Sequence, residues 1–253
     1  MAETLLAAKA VAKHFGGVKA LCDVSLSIRR GEIYGLIGPN GAGKTTFFNC
    51  MTGLYIPDGG SFEFDGAPLV ADAPHHAAAR GIARTFQNIR LFGNMTALDN
   101  VMVGRHVRTR AGVLGAIFRN KATRHEEAAI RRRAEDLLHY VRIGDRADDL
   151  AKNLSYGDQR RLEIARALAT DPQLLCLDEP AAGMNATETG ELRTLIDGIR
   201  SDGTTILLIE HDVKLVMGLC DRVAVLDYGA LVIEDVPAVV QKDQRVIEAY
   251  LGA

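Results

Sequence analysis

The sequence predicts an α/β protein with a mainly parallel core sheet, an N-terminal antiparallel β part and an inserted helical region. Three observations carry that expectation. Four short aliphatic runs bounded by turn residues, "EIYGLIG" (32–38), "QLLCLDEP" (173–180), "TTILLIEH" (204–211) and "RVAVLDYG" (222–229), have the continuous apolar character of strands buried on both faces. Helical stretches over 44–53, 157–170, 186–201 and 213–218 lie between them, and strand alternating with helix implies crossover connections. Near the start, "KAVAKHFGGVKALCDVSLSIRRGE" (9–32) and "GGSFEFDGAP" (59–68) instead alternate apolar with polar residues around glycine pairs, which reads as hairpins beside the main sheet.

The middle of the chain breaks this rhythm. From about 95 to 155 there is no good strand, and "RHEEAAIRRRAEDLLHYVRIG" (124–144) is a long charged helix pattern. The expected organisation is one domain over 1–253, with a core of about 1–94 and 156–253 and a helical subdomain over about 95–155. No Pro- or Ser-rich linker, internal repeat or low-complexity tract separates the parts.

Composition narrows the class without naming a partner. At 253 residues, 47% hydrophobic, the chain is long enough for a substantial core. A net charge of -2 gives no whole-surface attraction to nucleic acid. Cys22, Cys50, Cys176 and Cys220 are scattered and form no CxxC pair, so they read as small buried thiols in a reducing compartment. The N-terminal "MAETLLAAKAVAKHF" lacks the layout of a secretory signal. No apolar run approaches the ~18 residues needed to cross a bilayer, so any work at a membrane is expected to go through a partner.

The most specific phrase is "GPNGAGKTT". Gly38, Pro39, Asn40, Gly41, Ala42, Gly43, Lys44 and Thr45 fit G-x-x-x-x-G-K-[ST], with a strand before and a helix after, and Thr46 continues into that helix. Absent side chains at the glycines let backbone N–H groups approach phosphate oxygens, and the helix N-terminus adds partial positive charge. Lys44 then serves the β- and γ-phosphates and Thr45 offers a hydroxyl to Mg²⁺. In "LLCLDEP", Asp178 at the end of an apolar strand is placed to hold Mg²⁺, and Glu179 to orient the water that attacks the γ-phosphate. These elements define a P-loop nucleotide hydrolase or kinase and do not choose between them.

A second anion site narrows the choice. In "NLSYGDQRRLEIARAL" (153–168), Ser155 and Gly157 present hydroxyl and N–H donors at a helix start. With its neighbours this segment resembles the signature motif of the ATP-binding-cassette (ABC) ATPases, with Tyr156 where glycine is usual and Asp158 where glutamine is usual. Gln87 in "ARTFQNIRLF" looks like that family's Q-loop glutamine and His211 in "LLIEHD" like its switch histidine. "PAAGMN" (180–185) occupies the place of the D-loop but ends in Asn185 instead of Asp, and Phe15 in "KHFGG" looks like the aromatic that stacks on adenine.

The resemblance implies a P-loop ABC ATPase fold and a subunit that binds ATP and Mg²⁺. It implies catalysis through Glu179, His211, Lys44 and Gln87, and metal contacts from Thr45, Gln87 and Asp178. It further implies a head-to-tail dimer in which Ser155, Tyr156, Gly157 and Asp158 close over the partner's ATP. One cassette without a long coiled coil implies a transporter with separate membrane permeases, on the cytoplasmic face of the inner membrane. Phrases such as "RTFQNIRLFGNMTALDNVMVG" and the ending "VIEAYLG" are similar to the ATP-binding subunits of bacterial branched-chain amino-acid importers, which also use a second ATPase and a periplasmic binding protein. The alternatives are the ATPase of a lipopolysaccharide-export ABC system and a soluble ABC ATPase outside transport. The basic stretch 104–127, with its small apolar island, has two readings, a face toward anionic lipid or permease and, favoured, a solvated helical lobe over a hydrophobic patch.

Overall fold

The computed structural model describes residues 3–70, 73–108 and 121–251. The first part of the chain runs through β1 (Thr4–Phe15), β2 (Val18–Arg29), β3 (Ile33–Ile37), α1 (Lys44–Met51), β4 (Gly59–Phe64), β5 (Ala67–Pro68), α2 (Pro74–Ala79) and β6 (Ile82–Arg84). Three longer helices follow, α3 (Ala97–Arg105), α4 (Lys121–Tyr140) and α5 (Tyr156–Leu168). The chain ends with β7 (Leu174–Asp178), α6 (Ala186–Ser201), β8 (Thr205–Ile209), α7 (Val213–Leu219), β9 (Arg222–Asp227), β10 (Ala230–Asp235), α8 (Pro237–Val240) and α9 (Gln244–Leu251). By contact the chain divides into two units, 1–82 with 173–253, and 83–172.

The first unit holds two sheets. The antiparallel one runs β2-β1-β4-β5. Its strands are half-buried, Leu6, Ala8 and Val11 of β1 facing inward with Leu21, Val24, Leu26 and Ile28 of β2, as the apolar–polar alternation of both segments requires. The second sheet has the order β10-β9-β3-β8-β7-β6. Within it β3 pairs in parallel with β8 and β9, and β7 with β8. Every residue of β3, β7 and β8 is buried, which is why their sequences are unbroken aliphatic runs. One apolar core joins the two sheets through α1, whose Phe47 meets Phe62 of β4 edge to face at 5.5 Å. The carboxyl ends of β3, β7 and β8 lie side by side, the place where open α/β sheets bind ligands.

The second unit is helical. Helix α3 starts with a capping box, Thr96 accepting from the Asp99 N–H while the Asp99 carboxylate accepts from Thr96. Fully buried Asn100 bonds the backbone of Phe92 and Thr96 and so holds the preceding loop. The unit is wider than a 95–155 lobe, because α5 packs on α3 and α4 through a buried face that includes Leu162, Ile164 and Ala165. Of the basic stretch 104–127, the apolar island within 109–120 lies outside the described residues. The cysteines are free, Cys50, Cys176 and Cys220 buried and Cys22 half-buried. Burial pushes the Cys50 thiol up to about 11, as expected of a thiol packed in a core.

Candidate functional site

The phosphate loop connects β3 to α1. Gly38 has φ +151°, and a Cβ there would lie 2.1 Å from the carbonyl oxygen of Leu226 in β9. Gly43 precedes the helix at φ +103°, with the carbonyl of Ala20 2.6 Å from where its Cβ would stand. Neither position admits any residue but glycine, so backbone amides line the loop. Helix α1 has no side-chain cap and no acidic residue in its first turn, so nothing from its own first turn competes for an anion there.

Lys44 is only 6% exposed, and its ammonium donates to the carbonyls of Gly38 at 2.7 Å and Pro39 at 2.9 Å. Burial lowers its pKa, an effect opposed by the negative charges of Glu179 and then Asp178. An ammonium held at the mouth of an amide-lined loop, beside two carboxylates, has the charge pattern of a site for phosphate and a cation. Thr45 is exposed beside it.

The two carboxylates come from the end of β7. Asp178 is its last residue and is 3% exposed. Glu179 then turns to φ +49°, a left-handed conformation that a glutamate adopts at a cost. Its N–H donates to Ile209 of β8 at 2.9 Å, and the register that pairs Asp178 with Ile209 sets Glu179 beside Glu210 and His211. The result is a contact of 2.6 Å between Glu179 Oε1 and His211 Nε2. The residues expected to orient water and to act as the switch are therefore in direct contact.

Glu210 is a supporting residue that sequence reasoning passed over. It is 4% exposed and accepts from the N–H groups of Ala181 at 2.7 Å and His211 at 3.1 Å. Burial raises its pKa, opposed by those backbone bonds. It thus ties the start of the 180–185 loop to the His211 backbone. Its only signal in the sequence was a carboxylate at a strand end. Asn185 at the end of that loop is the N-cap of α6, accepting from Thr187 at 2.9 Å and Glu188 at 3.0 Å. An Asn caps as well as an Asp, which accounts locally for the departure noted in the sequence.

Phe15 ends β1, 43% exposed, with Tyr55 edge-on to its ring at 5.2 Å and 72°, and the Lys13 ammonium 5.5 Å from its centroid. A half-exposed ring braced from its edge is available for stacking on a flat ligand. Tyr55 gave no signal, since it follows α1 in an apolar "LYI" with no motif.

The remaining expected residues belong to the second unit. Gln87 is exposed. Ser155 caps α5, its hydroxyl accepting from the Asp158 N–H at 3.2 Å and donating to the Asp158 carboxylate at 2.8 Å. Tyr156 is 46% exposed and Gly157 half-buried. Among the described residues no group of three or more His, Cys, Asp or Glu side chains is poised to hold a metal, and no helix among them is long and apolar enough to cross a membrane.

A glycine-lined loop between a parallel strand and a helix, with two acids at the end of β7, two strands away in the same sheet, defines a P-loop nucleotide-binding protein. Residues 21–182 match the family described as "ABC transporter". The chain is 45% identical over its whole length, and over 99% of the relative, to the high-affinity branched-chain amino acid transport ATP-binding protein LivG of Salmonella typhimurium. Among solved structures it resembles the ADP conformation of MJ1267, an ATP-binding cassette of an ABC transporter, with a TM-score of 0.86 and 31% identity over 99% of each chain. It also resembles a dimeric post-hydrolysis state of the cassette MJ0796 bound to ADP and Pi, with a TM-score of 0.78 and 26% identity over 92% of this chain and 99% of that one. The chain belongs to the ABC transporter family, as an ATP-binding subunit of the kind that hydrolyses ATP to drive transport.

Proposed function

We propose that this chain is the ATPase subunit of an importer for branched-chain amino acids. In this reading it is a single nucleotide-binding domain of two lobes, seated on membrane permeases at the cytoplasmic face of the inner membrane and supplied by a periplasmic binding protein. Full-length similarity to LivG supports the solute and the setting. The dimeric MJ0796 cassette supports pairing with an identical or related second ATPase, and the resemblance of residues 153–168 to the signature motif supports a head-to-tail arrangement.

The contact between Glu179 and His211 carries the chemical reading. Residues 38–46 hold the phosphates and Phe15 stacks on the base. His211 donates from Nε2 to Glu179 and so orients the carboxylate that accepts a hydrogen bond from the attacking water and aims it. Lys44 exchanges the loop carbonyls for phosphate oxygens when nucleotide enters. Thr45, Asp178 and Gln87 would hold Mg²⁺; hydroxyl, carboxylate and amide oxygens are the hard donors this ion takes. The ion would neutralise charge on the phosphates. Ser155, Tyr156, Gly157 and Asp158 grip the partner's ATP, and loss of the γ-phosphate releases that grip.

The test combines chemistry with solute. Glu179→Gln should bind ATP as the wild type does and lose about 10²- to 10⁴-fold in turnover, because the water loses its acceptor while the cradle is untouched. In cells dependent on this chain, the same substitution should abolish uptake of labelled leucine, isoleucine and valine. Full turnover would remove Glu179 from the mechanism, whereas lost turnover with normal uptake of those three would remove the solute assignment alone.

A further inference from the structure

Helix α5 carries two charges where a helix of this kind would ordinarily place apolar groups. Arg160 is 2% exposed and Glu163, one turn on, is 1% exposed; they pair at 3.2 Å. Burying an ion pair seldom adds stability over an apolar pair of the same size, so the use of this one lies in what else it holds. Glu163 Oε1 accepts from the N–H groups of Phe86 at 3.2 Å and Arg90 at 3.4 Å. Arg160 donates to the carbonyl of Phe86 at 2.7 Å and, through its other terminal nitrogen, to the carbonyl of Gln87. Both polar groups of Phe86 and the carbonyl of Gln87 are therefore bonded to buried side chains of one helix. The loop that presents the Gln87 side chain has its backbone fixed from below.

The same nitrogen that reaches Gln87 also donates to the Tyr156 hydroxyl at 3.1 Å, and the guanidinium lies 5.5 Å from the Tyr156 ring centroid. Tyr156 stands in the first turn of α5, directly after Ser155. Only a planar guanidinium has enough donors, in a fixed fork, to meet two carbonyls, a carboxylate and a hydroxyl together. Among the described residues, buried Arg160 Nε has no hydrogen-bond partner.

We propose that Tyr156, Arg160 and Glu163 are positioning residues that bind the Gln87 loop to the first turn of α5, so that the two move as one piece. The inference rests on the roles proposed above for Gln87 and for Ser155–Asp158. Given those roles, Gln87 answers to the nucleotide in its own cradle and the first turn of α5 to the nucleotide of the partner. Arg160 then joins the responses to the two nucleotides within one subunit, and Tyr156, bulky where glycine is usual, is the end of the linkage at the partner's ATP.

The test is a double-mutant cycle on the full chain, measuring ATP hydrolysis against ATP concentration for Tyr156→Phe, Arg160→Lys and the pair. Each single change should lower kcat by about threefold or more, the scale of coupling between residues in contact, and the pair should fall no further than Arg160→Lys alone. KM should move by less than about twofold, since the interaction serves the closed state and not the initial binding of nucleotide. Tyr156 is half-exposed, so Tyr156→Phe should melt as the wild type does. Where Arg160→Lys does not fold, amide exchange decides: Phe86 and Arg90 should exchange several-fold faster in Tyr156→Phe. Additive losses, or wild-type hydrolysis and exchange in Tyr156→Phe, would overturn the linkage. Gln87→Ala and Ser155→Ala serve as controls; if both hydrolyse at the wild-type rate, the underlying roles are wrong and the linkage falls with them. If both are impaired while Tyr156→Phe is normal, only the linkage fails.

Discussion

The phosphate loop of the first unit and the start of α5 in the second are both proposed to take anionic ligands, yet they are built from opposite materials. The loop is made of backbone. Gly38 and Gly43 are dictated by carbonyl oxygens that a Cβ would strike and Gly41 by its positive φ, and Lys44 is the charged side chain within the loop. The helix start is held by side chains, with Ser155 and Asp158 bonded to each other and a buried Arg160–Glu163 pair behind them. A site built from backbone amides has few side-chain torsions to fix and few side chains whose loss would undo it. A side-chain site depends on every member of its network being present and correctly charged.

That difference sets the scale of what each region loses on substitution. The largest stability loss should come from the helix side: Arg160→Leu removes the cation that Glu163 contacts and leaves only Arg166 to oppose its buried charge, which costs about 3–5 kcal/mol and should show as a large drop in thermal midpoint. A midpoint near the wild type would mean that the pair is replaceable, and the contrast between the regions would collapse. Lys44→Ala should do the reverse. It removes a buried ammonium whose bonds are to its own loop, so the fold should hold while nucleotide affinity falls about 10- to 100-fold, the value of one or two charge-assisted hydrogen bonds. Normal affinity by calorimetry would show that backbone amides alone suffice. The smallest effect sharpens the boundary between the two kinds of site. Asn185→Ala removes two capping bonds and should cost about 1 kcal/mol in chemical denaturation, whereas Asn185→Asp should be close to neutral. An Asp that restored or altered turnover without touching stability would give Asn185 a role beyond capping.

Particular residues show where sequence reasoning reached and where it stopped. The four core strands were legible because burial on both faces forbids polar interruption, and residues 38–46 because a loop this close to its neighbours tolerates few side chains. Asp178 and Glu179 were legible from their place at a strand end. Glu210 was not, although it stands at the corresponding end of β8, because a carboxylate that braces two backbone amides looks in sequence like any solvated acid. Arg160 and Glu163 carry no motif among the other charged residues of their helix, and only the packing of α5 buries them. Tyr55 was invisible because its role is to meet Phe15, forty residues earlier in the chain, through the edge of a ring.

By itself the sequence determined the α/β alternation, the nucleotide loop and the family, since each depends on residues close together in the chain whose sterics or hydrogen bonding allow few alternatives. Tertiary structure alone decided that Glu179 meets His211, that Glu210 ties their loops, and that Arg160 reaches back 73 residues to the carbonyl of Gln87. The register of β7 against β8 and the burial of one face of α5 bring these groups together. Chain separation carries no trace of such contacts, because the energy that forms them comes from apolar packing elsewhere in each unit.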